Sequence, residues 1–151
     1  MYGQILIGLA ASMLNIAVHA IIMTPTSRSA HRMSRRAGNA HPHVRLALVM
    51  MATVAVLVLA HLIEIGIWAL FYVALEVAPK QVDAFYFAFV NYTTLGYGDI
   101  LPAEPWRLLG PITAMNGVLL FGWSTAVIFD VLRRVSPVIP RPSSQRGGRR
   151  R

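Results

Sequence analysis

Thr93-Thr94-Leu95-Gly96-Tyr97-Gly98-Asp99 lies between two long apolar stretches, and its reading decides the fold. In a soluble chain, two glycines around a tyrosine would mark a simple turn. The preceding segment argues against that. Asp83 to Tyr92, DAFYFAFVNY, is aromatic, too short to cross a bilayer, and opens on an acid suited to a helix N-terminus. A short apolar helix beside full spans is a candidate re-entrant element. A chain that enters hydrocarbon partway must also leave it. Its amides and carbonyls find no partners in lipid, so the return path must be enclosed by protein or line water. TTLGYGDI is that return path; Pro102 and Pro105 punctuate its exit, and Trp106 makes an interfacial anchor for the next helix.

The rest of the chain supplies the spans. Of its 151 residues 56% are hydrophobic and 13% charged, too oily for an ordinary soluble domain. Ile5 to Thr24, Leu46 to Val77 and Leu108 to Phe129 are each long enough for a hydrocarbon core of about 30 Å, which takes roughly 20 helical residues. The expected fold is therefore an all-α membrane protein: three transmembrane helices plus a short re-entrant helix and its return loop. The division is an N-terminal transmembrane helix (1–24), a basic cytoplasmic linker (25–43), a helix–re-entrant helix–helix module (44–134) and a disordered basic tail (135–151). Pro25 is expected to end the first helix, and Pro79 to stop the second at Ala78. The second helix is longer than the bilayer needs, so it tilts, kinks near Gly66 or projects. The linker reads equally as a short interfacial helix or as disorder. MYGQ carries no basic residue and no clean cleavage site follows it, so the first helix is expected to be retained.

The net charge of +8 is distributed by membrane side rather than as a nucleic-acid patch. Arg28, Arg32, Arg35, Arg36 and Arg45 lie in or beside the first loop, and seven arginines from Arg133 to Arg151 follow the third helix. Glu76, Asp83, Asp99 and Glu104 fall in the external segment, from the end of helix two to the start of helix three. The basic bias places the first loop and C-terminus in the cytoplasm and the N-terminus outside, in a multi-pass protein of the cell inner membrane. Anionic lipids are the expected partners of the basic segments, and no nucleic acid is expected. There is no cysteine, hence no disulfide or thiolate chemistry.

Helix, short aromatic helix, TTLGYGD, helix resembles the pore module of the potassium channel pore-loop family, a small bacterial-type channel with one extra N-terminal helix. The resemblance covers roughly Leu46 to Leu132 and implies that residues 44–134 are a pore module, with a re-entrant pore helix and a selectivity-filter loop. It implies a passive potassium-selective channel in which backbone carbonyls of Thr94, Leu95, Gly96 and Tyr97, with the Thr94 hydroxyl, replace the water around a dehydrated ion. Thr93, Gly98 and Asp99 would support that filter, and Tyr97 would brace it against the pore helix. Four chains are implied, so the partners are three further copies and potassium ions; no cofactor is expected. Leu95 departs from the family's usual valine or isoleucine and is not branched at Cβ. A weakly selective cation channel and a nonconducting channel-like subunit are the alternatives. An enzyme is not expected, since only His61 and Glu64 could form an acid–base pair and no nucleophile accompanies them. Nor is a voltage sensor, since no span carries arginines at every third position.

Within the spans, Gly117 is a candidate gating hinge or a site of close packing. Thr113, Asn116, Ser124 and Thr125 add polarity to the third span, some of it toward a cavity. Glu64 is costly at membrane depth and calls for a partner. His61 lies three residues before it, and Trp68 extends the stripe. Ser12, Asn15 and His19 form a second stripe at helical spacing. The two are expected to meet, either as a structural hydrogen-bond cluster or as a proton-sensitive one. Metal binding by His61 and Glu64 is weakly supported, with too few ligands.

Overall fold

The computed structural model describes residues 2–36, 41–78, 82–98 and 100–135. Its described residues form four helices: α1 (Tyr2–Arg36), α2 (Pro42–Ala74), α3 (Ala84–Tyr92) and α4 (Leu109–Val135). Three are long and apolar enough to cross a membrane: Tyr2–Ser29, His43–Ala74 and Leu109–Val135. Helix α1 packs on both α2 and α4, and the nine-residue α3 packs between α2 and α4. Large apolar side chains also cover the outside. Leu6, Met13, Ile21, Leu59, Leu70 and Val73 are all exposed, as hydrocarbon rather than water requires.

Pro25 does not end α1, which continues through it to Arg36. Proline leaves the Ile21 carbonyl without its helical donor, and threonine hydroxyls add bonds at the two carbonyls beside it. The Thr24 hydroxyl donates to the Ala20 carbonyl at 2.8 Å and that of Thr26 to the Ile22 carbonyl at 2.6 Å. Serine and threonine commonly make such a proline tolerable within a membrane helix. The first part of the expected linker is therefore helical. Helix α2 is one uninterrupted helix of 33 residues, about 50 Å long.

Helix α2 also stops earlier than Pro79 would dictate, at Ala74, through a closed C-terminal cap. The Val77 amide donates to the Tyr72 carbonyl at 2.9 Å and the Glu76 amide to the Val73 carbonyl at 3.2 Å. That is the Schellman pair, with Glu76 at φ +52° where glycine is usual. A left-handed conformation costs a side-chain-bearing residue roughly 1–2 kcal/mol. Glu76→Gly is therefore expected to stabilise the folded protein by about 1 kcal/mol, after the larger entropy loss of glycine is discounted. Thermal unfolding in detergent checks it, and a lowered midpoint would show that the carboxylate contributes more than the backbone strain costs.

Two apolar clusters fill the bundle, one around Trp68, Tyr72, Phe87, Tyr92 and Leu109, the other around Met23, Val49, Leu57, Ala60 and Val131. Each long helix passes from one cluster to the other through a polar turn. These turns hold Asn15 and His19 on α1, His61 and Glu64 on α2, and Ser124 on α4.

Candidate pore segment and the polar layer behind it

The candidate pore segment begins with a helix end. Asp83 caps α3, its carboxylate accepting from the Phe85 amide at 2.8 Å. At the other end the Leu95 amide donates to the Val90 carbonyl and the Thr94 amide to the Asn91 carbonyl, both at 3.0 Å. This is a second Schellman cap, and it places Thr94 at φ +60°. Gly96 follows at φ +49° and Gly98 at φ +80°. Residues 94, 96 and 98 are thus left-handed while Leu95 and Tyr97 between them are not. In an extended chain, successive carbonyls face opposite sides. Turning every second residue into the left-handed region lets consecutive carbonyls face the same side. Glycine adopts that region without penalty at two of the three positions. At the third, the helix cap supplies two hydrogen bonds that hold Thr94 there.

Residues Thr94 to Gly98 are exposed, Leu95 at 52% and Tyr97 at 69%. Tyr97 is thus not covered by the short helix of its own chain. The outward face of that helix is aromatic and also open, with Phe85, Tyr86 and Phe89 each about two-fifths exposed. The Thr93 hydroxyl is held within α3, donating to the Phe89 carbonyl at 2.8 Å. Asp99 lies outside the described residues.

Behind this segment the structure brings the two polar stripes together. Glu64 is fully buried and accepts from His19 Nδ1 at 2.7 Å, from His61 Nδ1 at 3.0 Å and from the Tyr92 hydroxyl. His61 Nε2 lies 3.0 Å from Ser124 Oγ on α4. Asn15 donates to Asn116 Oδ1 at 3.1 Å, and the Trp68 indole donates to the same oxygen at 3.0 Å. Tyr72 and Thr113 share a hydrogen bond of 2.8 Å. Ser12 is buried, but its hydroxyl has no partner among the described residues.

Local spacing could not reveal Tyr92, which joins Glu64 from α3. Thr113, Asn116 and Ser124 all point into the chain's own bundle rather than toward a cavity; of the four polar residues considered, Thr125 is the exposed one. Their spacing of three, eight and eleven along α4 is a helical face and was the available signal. Asp130 pairs with Arg134 at 2.7 Å and Arg133 at 3.8 Å.

Gly117 sits where α4 meets the end of α3. A Cβ there would overlap the Tyr92 carbonyl oxygen and lie 3.0 Å from its carbonyl carbon. Gly122 has nothing within 4 Å of the same position.

Ligand-type atoms of His19, His61 and Glu64 all lie within 4.8 Å of one another. The nitrogen–oxygen separations of 2.7 and 3.0 Å are hydrogen-bond distances. Ligands at about 2.0 Å from a tetrahedral zinc would stand roughly 3.3 Å apart. The arrangement fits protons better than a metal.

A family model described as "Ion channel" matches residues 58–134, half of the chain, from the middle of α2 to the end of α4. No curated protein and no solved structure is similar enough to match. The matched region holds α3, the left-handed segment and all but the last residue of α4, and it marks a multi-pass membrane protein that moves ions rather than one that catalyses a reaction. The chain belongs to the ion channel family.

Proposed function

We propose that the protein is a potassium-selective channel, and that four copies bring residues 94–97 together around one axis. The observation that carries this reading is the alternation of left-handed residues at Thr94, Gly96 and Gly98, at the end of a capped short helix between two spans. Carbonyls of Thr94, Leu95, Gly96 and Tyr97 then act as the ion's substitute water shell, with α3 re-entrant in the membrane. The aromatic face of α3 and the exposed Tyr97 favour a tetramer, because a neighbouring chain gives those rings the cover that their own chain does not. The N-terminus faces outward and the basic C-terminus inward, as the arginine distribution favours. Anionic lipid is the partner we propose for the inner side, on the strength of the arginines gathered in the first loop and the C-terminal segment.

Potassium flux from liposomes holding the purified protein tests this, with and without anionic lipid and with sodium as the comparison ion. The wild type is expected to pass potassium well ahead of sodium. Tyr97→Ala is expected to lose at least about tenfold of that preference, equivalent to about 1.4 kcal/mol of discrimination. Equal passage of the two ions by the wild type would favour the weakly selective reading, for which the half-open environment of Leu95 is the supporting observation. No flux in either lipid would leave a nonconducting subunit.

A further inference from the structure

The extra helix α1 has no part in a pore built from α2, α3 and α4, yet it places a fully buried histidine on the residue that holds the pore helix. Glu64 is the hub. It receives Tyr92 from α3, His61 from its own helix and His19 from α1. Tyr92 is the last residue of α3, immediately before Thr93 and the left-handed segment. Its hydroxyl is tied to Glu64 and its carbonyl lies against Gly117. The layer therefore fixes the point from which the conducting segment departs.

We infer that His19, His61 and Glu64 are positioning residues for the pore segment, and that one proton taken up at His61 loosens their hold on Tyr92. This rests on the reading of residues 94–97 as the conducting segment. The partners fix the proton bookkeeping. With Glu64 ionised, His19 Nδ1–H, His61 Nδ1–H and the Tyr92 hydroxyl all donate to it, and His61 Nε2 accepts from Ser124 Oγ. Both imidazoles are then neutral and the cluster carries one negative charge. His19 Nε2 is buried with no partner among the described residues. A proton there would leave an N–H with no acceptor, which is costly in a buried site. A proton on His61 Nε2 instead donates to Ser124 Oγ, and the serine hydrogen turns to a carbonyl of the preceding turn, as helical serines do. Only His61 can take the proton without losing a bond.

The consequence falls on Tyr92. His61 and the Tyr92 hydroxyl address the same oxygen, Glu64 Oε2, and lie 3.0 Å from each other. A positive imidazolium draws that oxygen's charge to itself, and the tyrosine bond weakens. Among the described residues, the titratable groups facing Glu64 are His19 from α1, His61 from α2 and Tyr92 from α3. Helix α4 presents neutral Ser124 and, against His19, Trp123, their ring centres 5.2 Å apart. The titratable residues of α4 pair with one another at its far end.

Two measurements on the full-length protein test the inference. The first is potassium flux from liposomes between about pH 5 and 8, the range in which histidine changes charge. Acid is expected to lower wild-type flux about tenfold, a coupling typical of linked sites. His61→Gln and Glu64→Gln are expected to flatten that profile, while His19→Gln keeps an acid response on a lower flux. The second is nitrogen NMR of the labelled imidazoles, which needs no flux. His61 is expected to gain a proton over this range while His19 does not. A flat wild-type flux profile overturns the inference, as does an acid response that survives in His61→Gln or a titrating His19 with a silent His61. Titration of His61 without flux at any pH removes the conduction reading, and the proposed coupling goes with it. Flux without titration removes the coupling alone.

Discussion

Gly117→Ala is expected to destabilise the folded protein by about 3 kcal/mol, the upper end of what an overpacked core costs. The added methyl would overlap the Tyr92 carbonyl oxygen. Both sides of that contact are main chain, so no rotamer change relieves it. Helix α4 would have to move away from α3, disturbing the point from which residues 94–98 depart. Gly122→Ala is the control on the same helix. Its Cβ meets open space, and alanine gains up to about 1 kcal/mol in helix propensity. Unfolding of both variants in mixed micelles separates two roles for Gly117. A hinge predicts an alanine variant of near-normal stability with altered gating. Close packing predicts loss of fold and, with it, loss of any potassium preference. An alanine variant as stable as the wild type would end the packing account.

The contrast between the two glycines marks what a single sequence can and cannot carry. Both interrupt an apolar helix, and nothing local distinguishes them; the difference lies in a residue of α3 that approaches only one. The polar stripes were legible for the opposite reason. Asn15 and His19, like His61 and Glu64, stand out against apolar neighbours at helical spacing, so the face of each stripe and the partner stripe it meets both follow. Tyr92 was not legible as their partner, since a tyrosine inside an aromatic run carries no contrast. The helix ends misled for physical reasons. Pro25 is a stop signal in water, but threonine hydroxyls and a membrane environment make it tolerable. Glu76 and Thr94 occupy left-handed cap positions without the glycine that usually announces them, because in each case paired main-chain hydrogen bonds compensate for the conformation. Gly96 and Gly98 did announce theirs.

Glu64→Ala is expected to cost about 3–5 kcal/mol, the range for removing one partner from a buried charged cluster. The loss does not measure how much the carboxylate stabilises the fold. It measures the groups left behind: His19 Nδ1–H and the Tyr92 hydroxyl, both in buried residues, would face a cavity. Interhelical hydrogen bonds in membranes contribute only about 0.6 kcal/mol on average, so lost bonds alone would predict a far smaller effect. Two further variants separate the explanations. Glu64→Gln keeps one accepting oxygen and should recover part of the loss. Replacing the whole cluster with apolar residues of similar size, as His19→Leu, His61→Leu, Glu64→Leu and Tyr92→Phe together, leaves no orphaned donor. That combination should recover most of the stability of the wild type. Reversible unfolding in mixed micelles measures all three. If the fully apolar variant were as unstable as Glu64→Ala, the cluster would contribute through attraction rather than through the avoidance of unpaired groups. If Glu64→Ala were near neutral, water would have to reach the layer and take the place of the carboxylate. His19, His61 and Tyr92 would give such a water its polar partners, but the apolar clusters on either side of the layer oppose its entry.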